Sequence, residues 1–134
     1  MDSPPEVRKK VGRLVLLNAF PLNAFPYFHD VEIGEDITLA FRRLSLEDLK
    51  DMTKRHDVVS YIRHQGTLEF LSRELGIELK PSSDIYKEDK RDIVVIITLK
   101  NPSRGKEVSN ITDDDLLIYM LSFLYPGWWV SDKG

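Results

Sequence analysis

Ile93-Val94-Val95-Ile96-Ile97-Thr98-Leu99 is the run on which the fold turns. Six of its seven residues are β-branched, and Thr98 is the one polar side chain among them. Such residues are stiff at χ1 and pack well on a pleated surface, and a continuous rather than alternating apolar run suits a strand covered on both faces. The segment therefore reads as the centre of a sheet.

Working outward, Leu14 to Leu17 is a second continuous apolar run, entered from a basic leader and ended by Asn18, and it reads as another buried strand. The tandem Asn18-Ala19-Phe20-Pro21 and Asn23-Ala24-Phe25-Pro26 follows; it is too short for a repeat architecture, and its prolines demand a turn. Asp36 to Leu44 alternates through Ile37, Leu39 and Phe41, as a half-covered strand does. Ser45-Leu46-Glu47-Asp48 then has the spacing of a capping box at a helix start.

Asp57 to Ile62 reads as a short helix, and Gln65 to Leu75 as a second one with Leu68, Leu71 and Leu75 on one face and Gly76 as its stop. Beyond the central run, Asn101 to Gly105 reads as a loop. Thr112 with Asp113, Asp114 and Asp115 is expected to cap a helix carrying Leu116, Leu117, Met120, Leu121 and Leu124, and a short strand closes the chain around Trp128 to Val130. Strands and helices mix without strict alternation. The expected fold is α/β of the mixed α+β kind: a mixed central sheet with helices packed on it.

With 134 residues the chain supports one core, so residues 1–12 read as a flexible leader and 13–134 as one domain. No stretch approaches the ~20 apolar residues of a membrane span, and residues 1–12 lack the apolar core of a secretory signal, so a cytoplasmic protein is expected. The absence of cysteine excludes thiol catalysis and disulfides. A net charge of -3 argues against coating long DNA, which relies on counterion release by many basic side chains, but leaves room for a small anionic ligand. No HExxH and no cluster of carboxylates at ligand spacing is present, so neither a catalytic metal nor a cofactor is expected.

His64 stands just before the helix of Gln65, Gly66 and Thr67, whose first amides attract a phosphate through free N–H groups and the helix dipole. Gly66 permits close approach, Thr67 offers a hydroxyl for capping or for a phosphate oxygen, and Arg63 adds charge. An exposed or capping histidine is the commoner state of such a residue, whereas His29 and His56 have no comparable setting. Asn18 and Asn23 flank a turn at a strand end, where sheets present ligand loops, although such side chains as often serve the turn itself. Arg104-Gly105-Lys106-Glu107 follows the central strand in a loop.

Taken together, Leu16-Leu17-Asn18-Ala19-Phe20-Pro21-Leu22-Asn23, then Asp57-Val58-Val59-Ser60-Tyr61-Ile62-Arg63-His64-Gln65-Gly66-Thr67, then Arg104-Gly105-Lys106-Glu107 followed by Thr112 and an expected apolar helix, resemble the viral anti-CRISPR ring nucleases. The resemblance covers the chain from about Leu14 onward. It implies a homodimeric, metal-independent phosphodiesterase that opens cyclic tetra-adenylate to linear products with a 2′,3′-cyclic phosphate and so silences type III CRISPR signalling. By the same resemblance, His64 would be the general acid, Arg104 would bind the scissile phosphate, and Glu107 would assist. Asn18 and Asn23 would line the ligand pocket. The chain departs from the family at Pro21, where relatives commonly carry serine, and at Arg63, where they usually carry glycine. Lys100 stands as the alternative to Arg104. The competing readings are a protein of the same fold that binds the ring without cutting it, and a protein-interaction module using Trp128 and Trp129.

Overall fold

Ile93–Leu99 forms β4, the middle strand of a five-stranded sheet, in the computed structural model of the chain, which describes residues 12–89, 91–100 and 111–126. The other strands are β1 (Leu14–Leu17), β2 (Ile37–Arg43), β3 (Val58–Ser60) and β5 (Leu116–Pro126), and the spatial order is β2-β5-β4-β1-β3. β4 and β3 run parallel to β1, while β5 runs antiparallel to both β4 and β2. The sheet is therefore mixed, and its parallel half directs the ends of β1, β3 and β4 to one edge. The fold is mixed α+β, as the pattern of elements implied.

Among the described residues, three α-helices accompany the sheet: a single turn α1 (Tyr27–Asp30), then α2 (Leu46–Arg55) and α3 (Gln65–Leu75). The capping box at the start of α2 is complete. The Ser45 hydroxyl accepts from the Asp48 amide and the Asp48 carboxylate accepts from the Ser45 amide, each at 3.0 Å. These bonds to Ser45 hold the exposed Asp48 carboxyl below the usual carboxylate range. α3 ends at Gly76 in the left-handed region, at φ 71°.

Alternation along the strands divides the core in two. Leu14 and Leu16 of β1, Val95 and Ile97 of β4, and Leu116 and Ile118 of β5 face α2 and α3, meeting Leu49, Leu68, Leu71 and Leu75. On the other face Val15, Leu17 and Val94 are packed against Phe25, Ala24 and Tyr86. This second layer is the proline-punctuated segment after β1. Pro21 precedes a 3-10 turn at Leu22–Ala24, and Phe20 stacks on Phe25 at 4.9 Å and meets Phe28 and Phe41 edge-on.

Two expectations are overturned. Asp57 to Ile62 is not a helix: Val58 and Val59 are β-branched, and they pair with Leu14 and Val15 in parallel register as the edge strand β3. Nor do Leu116 to Leu124 form a helix. Thr112 does cap a turn, with its hydroxyl and amide bound to Asp115, but the turn is a single 3-10 turn at Asp113–Asp115. The chain then extends as β5, where its backbone pairs with β4 on one side and β2 on the other and so satisfies hydrogen-bonding groups of both. β5 carries one extra residue at Ser122, since Ala40 pairs with Phe123 and Phe41 with Leu121.

Gly12, counted with the leader from sequence, is part of the folded structure: its carbonyl accepts from His56 Nδ1 at 3.2 Å. The remainder of the leader, the loop carrying Arg104 and Glu107, and the strand expected at Trp128 to Val130 lie outside the described residues. Among the described residues, no helix is long and apolar enough to cross a membrane.

Candidate functional site

The edge to which the parallel strands point holds the site. β1 and β4 lie side by side in register from Leu14↔Ile93 to Leu17↔Ile96, so Asn18 leaves the sheet beside Ile97 and Thr98. On the other side of β1, the chain leaves β3 with the Tyr61 amide still donating to the Leu16 carbonyl at 2.9 Å. Ile62 is fully buried and anchors the connection, and His64 follows at the entry to α3. Between them lies a pocket of about 190 Å³ lined by Asn18, Ile62, His64, Thr67, Ile97, Thr98 and Leu99. A crevice outside the carboxyl ends of parallel strands is where sheets of this kind bind ligands.

His64 is the N-cap of α3. Its Nδ1 accepts the Thr67 amide at 3.1 Å and lies 2.8 Å from the Thr67 hydroxyl, while its backbone carbonyl accepts from the Leu68 amide at 3.1 Å. The expectation that the Thr67 amide is unpaired is therefore corrected: the histidine ring takes it. The first turn of α3 carries no acidic residue, whereas that of α2 carries Glu47 and Asp48. The positive end of the α3 dipole is thus not offset by a local carboxylate.

Of the residues singled out from sequence, the structure brings Asn18, His64 and Thr67 to one pocket. Gln65 and Arg63 are exposed beside it and Gly66 is buried within the first turn, but none of the three lines the pocket. Asn23 sits apart in the 3-10 turn, where its carbonyl accepts from His29 Nε2 at 3.3 Å. Arg104 and Glu107 belong to residues 101–110, outside the described part. Lys100 is exposed at the end of β4 and its amide donates to the Asp115 carbonyl. Lys100 lines a separate hollow, with Arg43, Asp48, Asp113 and Asp114, rather than the pocket of His64.

Ile62, Ile97, Thr98 and Leu99 also line the pocket and are not among the site residues expected from sequence. A signal existed for Thr98, the one polar residue in an otherwise apolar strand, half-buried at the pocket wall. None existed for Ile62, whose place follows from β3 pairing with β1.

The opposite end of β1 and β4 is closed by a polar clamp. Arg13 donates to Asp92 from Nε at 3.0 Å and from Nη2 at 2.9 Å, Tyr86 Oη donates at 2.7 Å, and the Asp89 amide at 3.2 Å. Burial alone would raise the Asp92 carboxyl, but the bonds from Arg13, Tyr86 and Asp89 outweigh it and hold the group below the usual carboxylate range. Burial together with the Asp92 carboxylate pushes the Tyr86 phenol well above its ordinary value. The clamp ties the segment before β4 to the start of β1, and so holds the two pocket-forming strands in register.

The sequence profile of the STIV B116-like family matches residues 14–123, which include β1 to β4, most of β5 and the whole of the pocket. The chain belongs to the STIV B116-like family. Among solved structures, that of B116 of Sulfolobus turreted icosahedral virus is similar to the chain, with a TM-score of 0.57 over 85% of this chain and 99% of B116, at 20% sequence identity. Identity at that level speaks to the fold, and the fold of this B116-like chain is the one described above. No curated protein sequence is similar to it.

Proposed function

We propose that this B116-like protein is a ring nuclease: a homodimeric, metal-independent phosphodiesterase that binds cyclic oligoadenylate, most simply cyclic tetra-adenylate, and opens it. The observation that carries the reading is the convergence of Asn18, His64 and Thr67 in one pocket, at a helix start free of acidic side chains. This is where an anionic ligand meets N–H donors and a favourable dipole. The resemblance of the motifs around Asn18 and His64 to those of the viral ring nucleases supplies the substrate class.

In the proposed reaction the ribose 2′-oxygen attacks the adjacent phosphorus and releases its proton to solvent, and the bond from phosphorus to the 5′-oxygen breaks. A proton passes from His64 to the departing 5′-oxygen, leaving a 2′,3′-cyclic phosphate on one end of the linear product. The protein's tasks are to hold the in-line geometry, to offset charge on the phosphorane-like state, and to protonate the leaving group. Asn18 at the pocket wall, Asn23 from its separate 3-10 turn, and Arg63, Gln65 and Gly66 at the start of α3 are assigned to the ligand, Arg104 to the phosphate, and Glu107 to support. A ring with rotational symmetry fits across a two-fold axis to which each protomer brings one pocket.

The test is to incubate the purified protein, in chelator, with cyclic tetra-adenylate and to resolve the products by liquid chromatography and mass spectrometry. Linear fragments ending in 2′,3′-cyclic phosphate are expected. His64→Ala should slow their formation by about 10²- to 10⁴-fold, the usual contribution of a general acid, with affinity for the ring changed only a few-fold. Ring bound but recovered intact from the wild type would make the protein a binder of the messenger, and absence of binding would refute the reading.

A further inference from the structure

We infer that Thr67 is a positioning residue for His64, fixing which ring nitrogen faces the ligand, an inference that rests on the ring-nuclease reading only for its kinetic consequence. A backbone amide can only donate, so the 3.1 Å bond from the Thr67 N–H makes Nδ1 an acceptor in the neutral imidazole. The ring proton then sits on Nε2, on the opposite side of the ring from Thr67. Among the described residues no hydrogen bond engages Nε2, which is thereby left to donate to a ligand oxygen in the pocket that His64 lines. The amide alone would set the tautomer. The hydroxyl adds something different.

Proton donation by His64 requires the imidazolium, in which Nδ1 also carries hydrogen and can no longer accept from the amide. Thr67 Oγ1, 2.8 Å from Nδ1 and almost fully buried, is placed to reverse its role. It donates to Nδ1 in the neutral ring and accepts from Nδ1–H in the charged one, so the ring keeps one orientation through both states. The other pocket-lining side chains, Asn18, Ile62, Ile97, Thr98 and Leu99, are uncharged, and Arg63 is the adjacent cation along the chain. Thr67 is thus the group among these that supports both protonation states of the histidine.

The experiment compares the full-length wild type, Thr67→Val and Thr67→Ser. Long-range ¹H–¹⁵N spectra of the histidine rings, with His64 identified by the signals missing in His64→Ala, are read alongside steady-state cleavage of cyclic tetra-adenylate. For wild type and Thr67→Ser, Nε2 should be pyrrole-like and Nδ1 pyridine-like. In Thr67→Val the Nδ1 signal should move toward that of a pyridine nitrogen lacking one donor. The valine variant should lose about 10- to 100-fold in kcat with KM within about threefold, part of the general-acid contribution, and the serine variant should restore it. A protonated Nδ1 in the neutral wild-type ring would overturn the inference even if the valine variant failed to fold. So would an unmoved Nδ1 signal, or wild-type kcat, in a folded Thr67→Val. If the wild type does not cleave at all, the ring-nuclease reading fails, and the spectra alone decide how Thr67 holds His64.

Discussion

Asp92→Ala is the perturbation whose cost the structure constrains best. The Asp92 side chain is 1% exposed and accepts from Arg13, from Tyr86 Oη and from the Asp89 amide. Alanine removes every one of these bonds and leaves the phenol of buried Tyr86 without its acceptor. Breaking a buried ion pair typically costs about 3–5 kcal/mol. The Arg13 side chain is 41% exposed and regains water once released, which places this case at the lower end, about 3 kcal/mol. Urea unfolding at neutral pH, with a two-state fit, measures it. The sign of the pH dependence follows from the depressed carboxyl. Its contribution is fully present above the unfolded value of about 4 and is lost as pH falls through the lower folded value. The gap between wild type and Asp92→Ala should therefore narrow as pH is taken below about 4. A difference under about 1 kcal/mol at pH 7, set against the expected ~3 kcal/mol, or a gap that does not change with acid, would refute the reasoning.

The remaining expectations concern backbone and packing. Gly12 and Gly76 both have positive φ, but an added Cβ would lie 2.5 Å from the Arg91 carbonyl oxygen at Gly12 and meets nothing within 4 Å at Gly76. Gly76→Ala should cost about 1 kcal/mol in thermal or urea unfolding and Gly12→Ala at least twice that, the extra coming from backbone displacement at β1. Phe25→Ala should cost about 3–5 kcal/mol, because Phe25 is fully buried, stacks on Phe20 and touches Tyr86 edge-on. Because the layer it belongs to begins directly after Asn18, ring-ligand affinity, followed by isothermal titration, should fall in Phe25→Ala as well.

Parts of the site were readable from residue type and spacing because the interactions behind them are local. His64, Thr67 and the start of α3 lie within one helical turn, and the Ser45–Asp48 box spans four residues. Asn18 was readable because it ends an apolar run. The same logic failed where a segment's state depends on a distant partner. Leu116 to Leu124 is apolar enough for either a helix or a strand, and local pattern does not separate the two in such a run. Val58-Val59-Ser60 is too short for any periodicity to speak.

The amino-acid sequence by itself determined the central strand Ile93–Leu99, the buried strand Leu14–Leu17, the limits of α3, and the place of His64 directly before it. Each rests on side-chain stiffness, continuous apolarity or a helix-end signal carried by adjacent residues. Only the tertiary structure decided that Leu116–Pro126 and Val58–Ser60 are strands, since unpaired backbone groups on β4, β2 and β1 claim them as partners. The tertiary structure likewise brought Asn18, Ile62 and Thr98 to His64, because β1, β3 and β4 run in parallel and so deliver the ends of three separated segments to one edge of the sheet.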